Sequence, residues 1–211
     1  MSTEYKFANI IITALLFLLL SMNCSKKEST KAEAQGELLQ NIDSNRYSSK
    51  IMFDGKRWMT DNLNTNIPES FCHDDKELNC ATYGRLYTWE GAREACYMLG
   101  NGWRLPTNEE WQIMAKQYGG IVDNSEDKGK AAYASLIEGG KAEFNAVLGG
   151  NREPNGDYAR LGAHGFYWTS TEYDSASAWF YNFGKGSLLL NRHTGEKARA
   201  VSVRCIQDSE N

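Results

Sequence analysis

The sequence predicts an α+β domain, with helices in its first half and an antiparallel sheet in its second. Two observations carry this. Two segments, Thr88 to Leu99 and Thr107 to Tyr118, combine a capping residue with an apolar stripe at helical spacing. Four later runs, "FYWTSTEY", "AWFYNF", "SLLLNR" and "ARAVSVRCI", are aromatic or β-branched and are punctuated by the turns "GKG" and "HTGEK".

The elements follow in order. Lys6 gives a basic start, and Ile10 to Leu20 is apolar apart from Thr13, too short for an ordinary membrane span. It has the length of a signal-peptide core. The continuation "SMNCSKKES" resembles a bacterial lipoprotein signal, so residues 1–23 are expected to be removed and Cys24 to carry lipid. Residues 24–46 are polar, with Leu38 and Leu39 as their main apolar content, and read as a tether. The folded domain is expected over residues 47–208. Its first feature is "KIMFDGKRWM", in which Asp54-Gly55 predicts a two-residue hairpin turn.

In the first predicted helix Thr88 caps Ala92, Ala95, Cys96 and Leu99, and Gly100 suits a left-handed stop. "GWRLPTNEEW" then places Trp103 and Leu105 in a short strand facing the core. Pro106 holds Leu105 extended. Thr107 and Glu110 form a capping box, and Trp111, Met114 and Ala115 make the buried face of the second helix. Lys130 to Ile137 predicts a short helix, and Gly149 to Gly162 a glycine-rich loop. In "WFYNF", Trp179, Tyr181 and Phe183 share one strand face. In the last run Val201, Val203 and Cys205 do the same.

Composition excludes several functions. The net charge of −4 comes with no basic stripe, so no nucleic-acid partner is expected. Setting Cys24 aside leaves Cys72, Cys80, Cys96 and Cys205, an even set that suits an oxidising compartment and allows three pairings. No C-x-x-C occurs and the three histidines are scattered, so zinc is not expected. No Ser-His-Asp or His-Glu-x-x-His arrangement is visible, and neither an enzyme nor a cofactor is predicted. "HDDKE" at His73 to Glu77 reads as solvated loop charge.

Taken together, "DGKRWMTDNL", "YGRLYTW", "GWRLPTNEEW", "FYWTSTEYDSASAW" and "VSVRC" resemble the Fibrobacter succinogenes major paralogous (FISUMP) domain, from about Ile51 to Asp208. The resemblance implies an exported, lipid-anchored protein of the bacterial envelope, at the outer membrane or cell surface. It also implies a C-type lectin-like fold, with two main helices, twisted antiparallel sheets and neighbouring termini. That fold pairs the first helix with the last strand, which supports a Cys96–Cys205 bridge and leaves Cys72 to Cys80. "RLPTNEEW" is also similar to the formylglycine-generating enzyme family. Its chemistry needs a reactive cysteine pair near the C-terminus, where this chain offers only Cys205.

The function expected from this resemblance is non-catalytic binding of a glycan or an extracellular protein. The alternative is a structural envelope protein without a ligand. Arg152, Tyr158, Arg160, Tyr173, Tyr181, Asn191, Arg192 and His193 fall on late loops and strands and are the candidate ligand contacts, since arginine and tyrosine dominate binding hot spots. Most of the six tryptophans are expected in the core. Glu153-Pro154-Asn155 matches the calcium-binding triplet of C-type lectins. The Trp-Asn-Asp that completes such a site is missing, so Glu153 and Asn155 remain a weak calcium candidate.

Overall fold

The computed structural model describes residues 47–208. The apolar run, Cys24 and the tether therefore lie outside the described residues. In chain order the elements are β1 (Ser49–Ile51), β2 (Arg57–Met59), β3 (Ser70–Phe71), α1 (Glu77–Tyr83), β4 (Leu86–Tyr87), α2 (Trp89–Met98), α3 (Asn108–Gln117) and α4 (Lys130–Leu136). They continue with β5 (Asn151–Arg152), β6 (Tyr158–Ala159), β7 (His164–Glu172), β8 (Ser177–Gly184), β9 (Leu189–Glu196) and β10 (Ile206–Gln207). The fold is α+β, built among the described residues from four α-helices and several small antiparallel sheets.

The first hairpin forms where the Asp-Gly signal places it, but its loop is longer than two residues. The Met52 amide donates to the Lys56 carbonyl at 2.9 Å, so residues 53–55 cross between the strands. Gly55 takes φ +78, the left-handed position of a three-residue loop. The Asp54 carboxylate accepts from the Lys56 amide and from the Trp58 indole, at 3.0 and 2.8 Å, which fixes the turn against the core. β10 pairs with the other side of β2, so the first and last strands flank it.

Both predicted helices start at their caps. Thr88 accepts from the Gly91 amide at the head of α2, and Thr107 and Glu110 form the reciprocal capping box of α3. α2 buries Trp89, Ala92, Ala95 and Cys96, then gives way to Gly100 at φ +67. α3 buries Trp111, Met114 and Ala115. Trp111 is the hub of the core. Trp58 lies edge-on to it at 5.2 Å, Phe144 at 5.6 Å, and Tyr181 stacks on it at 4.8 Å. Such aromatic pairs add about 0.5–1.5 kcal/mol each beyond the area they bury.

Two disulfides clip the domain, Cys72–Cys80 across the polar loop and Cys96–Cys205 from α2 to the C-terminal segment. That segment does not form the single strand expected from "ARAVSVRCI". Ala200 bridges to Arg152, Val201 to Tyr87 and Ser202 to Tyr167. The Val203 and Cys205 carbonyls then accept from Leu63 and Met59, before β10 begins. The chain threads through the middle of the domain and changes partner at almost every residue. For the same reason Trp103 and Leu105 are buried as expected, yet only Arg104 makes a bridge, to Ile206. The glycine-rich stretch, expected as loop, contains the β5–β6 hairpin.

Arg204 ties this threading together. It is fully buried, and its guanidinium donates to Asn62 Oδ1 and to the carbonyls of Met59, Phe144 and Asn145 at 2.6–3.2 Å. Burial pushes its pKa below the ordinary arginine value.

Candidate functional site: aromatic and arginine clusters on the late strands

β7, β8 and β9 form the longest sheet, and β8 alternates its side chains between two faces. Tyr181 and Phe183 point at Trp111 and the core. Phe180 faces the other way and is buried against Phe166 and Trp168, at 5.6 and 5.8 Å. Trp179 shares the Tyr181 face. It is the one tryptophan of six that is not buried.

Two predicted residues meet Trp179. The Arg192 guanidinium sits 4.4 Å above its ring, and Tyr173 stands edge-on at 5.2 Å and 86°. Tyr173 is 59% exposed. The turn that carries it is well fixed. The Tyr173 amide donates to the Ser177 carbonyl, and the Asp174 carboxylate accepts from Ala176 and Ser177 at 2.8 Å each. Arg192 is weakly compensated. Asp123 stands 3.9 Å from Nη2, beyond hydrogen-bond reach, and the buried Nε has no partner among the described residues.

A second cluster gathers where the β5–β6 hairpin meets the Cys72–Cys80 loop. Arg152 lies over Phe71 at 4.2 Å and near Tyr158 at 5.8 Å. Tyr158 donates to Asp75 at 2.5 Å, and burial together with the Asp75 carboxylate pushes its pKa up to about 12. Asp74 and Asp75 both take left-handed φ, +56 and +54, a strained pair held inside the disulfide loop. His73, expected to be solvated, is buried instead. Its Nε2 pairs with the Ala159 carbonyl at 3.2 Å, because the hairpin folds over it.

Most polar groups of this second cluster are spent on one another. Glu153 takes Arg160 at 2.7 Å and Arg199 at 2.8 Å. Burial alone would raise its carboxyl, but the bonds from Arg160 and Asn151 and the charges of both arginines hold it below the usual range. Asn155 closes the hairpin turn with Asp157 through bonds of 2.8 and 3.1 Å. The Glu153 and Asn155 oxygens thus already have partners within the fold, which a calcium ion would have to compete with. Cys72, Glu77 and Cys80 also converge, within 4.8 Å, but both sulfurs are in a disulfide and offer no thiolate to a metal.

The single binding face expected from sequence divides into parts. Tyr173 and Arg192 join Trp179. Arg152, Tyr158 and Arg160 lie at the hairpin. Asn191 and His193 occupy the opposite face of β9 from Arg192, with His193 5.9 Å from Phe180. Burial lowers the His193 pKa against the opposing charge of Asp123. Tyr181 is a correction. It is fully buried under α3, and its hydroxyl donates to the Asn108 carbonyl at 3.2 Å. Trp179, Phe71, Asp75 and Arg199 are the neighbours that sequence reasoning missed. Only Trp179 carried a signal, as the same-face neighbour of Tyr181 two residues nearer the strand end.

The geometry defines a disulfide-bridged α+β domain whose late strands gather aromatic rings and arginine. Residues 38–207 match the family model of the Fibrobacter succinogenes major domain, and the chain belongs to that family. The match begins upstream of Ile51, the start expected from the motifs. No curated protein matches the chain. Among the described residues no helix is long and apolar enough to cross a membrane.

Proposed function

We propose that this protein is a non-catalytic glycan-binding module of the bacterial envelope, with Tyr173, Trp179 and Arg192 as its contact surface. The observation that carries this reading is the partial exposure of Trp179. Five of the six tryptophans are buried, whereas this one lies at the surface between a half-exposed tyrosine and an arginine. Flat rings match the apolar faces of sugars, and arginine supplies directed hydrogen bonds. The hairpin cluster is the weaker candidate, because most of its polar groups already pair among themselves.

A C-type lectin-like architecture accords with the bridge from α2 to the C-terminal segment and with the pairing of the first and last described strands to β2. Family membership supports an extracytoplasmic place, and the sequence at Cys24 supports a lipid anchor in the outer membrane or at the cell surface. The pairing of all four cysteines among the described residues supports a non-catalytic role, since no free thiol remains for oxidase chemistry.

The test is a binding screen of the full-length protein on immobilised glycans, alongside Trp179→Ala and Cys24→Ala. Binding that falls at least tenfold in W179A is the expected result. A panel on which nothing binds, or on which W179A binds equally, overturns the glycan reading and leaves a ligand-free envelope protein. Release of C24A from the membrane fraction tests the anchor separately.

A further inference from the structure

We infer that the Trp179 surface selects acidic glycans, with Arg192 as the group that takes the carboxylate or sulfate of the sugar. The inference rests on the glycan reading above and goes one step further, from a class of polymer to its charge.

Arg192 differs from Arg104, Arg160 and Arg199 in how its donors are used. Arg104 reaches Glu110 with two nitrogens, at 2.6 and 2.8 Å. Arg160 bonds Glu153 and Asn151, and Arg199 bonds Glu153. The acid nearest to Arg192 stands 3.9 Å from Nη2, and neither terminal nitrogen makes a hydrogen bond among the described residues, while Nε is buried and turned into the fold. Its guanidinium is therefore a cation with unspent donors. Packing against Trp179 at 4.4 Å holds the plane in place without consuming those donors. A guanidinium fixed in this way presents the rigid fork that a carboxylate or sulfate accepts in bidentate fashion. The indole beneath it excludes water from one side, which strengthens the pairing. A neutral sugar can stack on Tyr173 and Trp179 but offers the fork no anion, so the site discriminates against it. Asp123 then acts as a local competitor for the same cation.

Three polymers are the probes, namely polygalacturonate for the carboxylate, dextran sulfate for the sulfate, and dextran as the neutral reference. The full-length protein, solubilised in detergent, is compared with Arg192→Gln, Arg192→Lys, Asp123→Asn and the remote surface variant Lys76→Gln. Unchanged melting of each variant establishes folding first. The expected result is at least tenfold preference for one or both acidic polymers. That preference is lost in R192Q, partly kept in R192K, raised in D123N and untouched in K76Q. Which acidic polymer binds separates carboxylate from sulfate. Equal binding of dextran and the acidic polymers, still sensitive to W179A, overturns this inference and leaves the glycan reading standing. Equal losses in R192Q and K76Q reduce the effect to general charge and also overturn it. Binding to no polymer at all, here or on the wider panel, removes both.

Discussion

Trp111 and Tyr181 lie face to face, with ring centroids 4.8 Å apart and planes 15° from parallel. This pair joins α3 to the middle of the longest sheet, and it explains why Tyr181 serves the core and not a ligand. Truncating Trp111 to alanine is expected to cost about 3–5 kcal/mol, the range for large aromatic deletions in a core. Tyr181→Phe keeps the stack and loses only the hydroxyl bond to Asn108, at about 1 kcal/mol. Denaturant titration of both variants checks the ratio, and binding by Tyr181→Phe should match the parent.

Acid should attack the start of α3. Burial alone would raise the Glu110 carboxyl, yet the fork of Arg104, the Thr107 amide and the charges of Arg104 and Lys56 hold it down to about 2, from an ordinary 4.5. A folded pKa below the unfolded one stabilises the fold fully above about pH 4.5, and the contribution fades as pH falls through 2. Asp208, held down mainly by its bond to Lys56, adds to the same loss. Glu110→Gln is expected to be less stable at pH 7 and to show a flatter profile between pH 4.5 and 2. Urea midpoints measured across that window give the comparison.

The two disulfides should differ in weight. Cys96 and Cys205 are 109 residues apart, Cys72 and Cys80 only 8. In the chain-entropy treatment the long loop contributes about 4–5 kcal/mol and the short one about 2.5 kcal/mol. Paired serine variants are therefore expected to lower the melting temperature far more for the first bridge. Thiol titration of the folded parent should find no reactive cysteine among residues 47–208.

Arg204→Met should be among the most damaging single changes. It removes a buried cation but also strands the carbonyls of Met59, Phe144 and Asn145. Each unmet buried acceptor costs about 1–3 kcal/mol, so a loss of more than 3 kcal/mol is expected. A variant that unfolds with the parent's midpoint would refute the tie.

Calcium and chelator should both leave the melting temperature unchanged. Glu153 is already shared by Arg160 and Arg199, and freeing it would break two ion pairs. Differential scanning calorimetry with and without calcium decides this.

Local chemistry made part of this fold legible. The caps at Thr88 and Thr107 depend on residues three apart, and the Asp54–Gly55 turn on its immediate neighbours, so each could be read from a short window. Partnership over distance could not. "ARAVSVRCI" carries the same apolar pattern whether it faces one strand or, as here, Arg152, Tyr87 and Tyr167 in turn. The candidate site failed in the same manner. Trp179 and Tyr181 share a strand face, and only the position of α3 above Tyr181 makes one a surface and the other a core residue.

The late position of Cys205 sets the order of assembly. Cys96 is made more than a hundred residues before its partner, and β2 waits equally long for β10. Until Cys205 has emerged, Cys96 can pair, among the cysteines of the described residues, only with Cys72 or Cys80, and either pairing is wrong. The bridge that closes the domain therefore forms last, once Cys205 is in place. The domain's folding yield accordingly depends on a machinery that can undo a premature bridge.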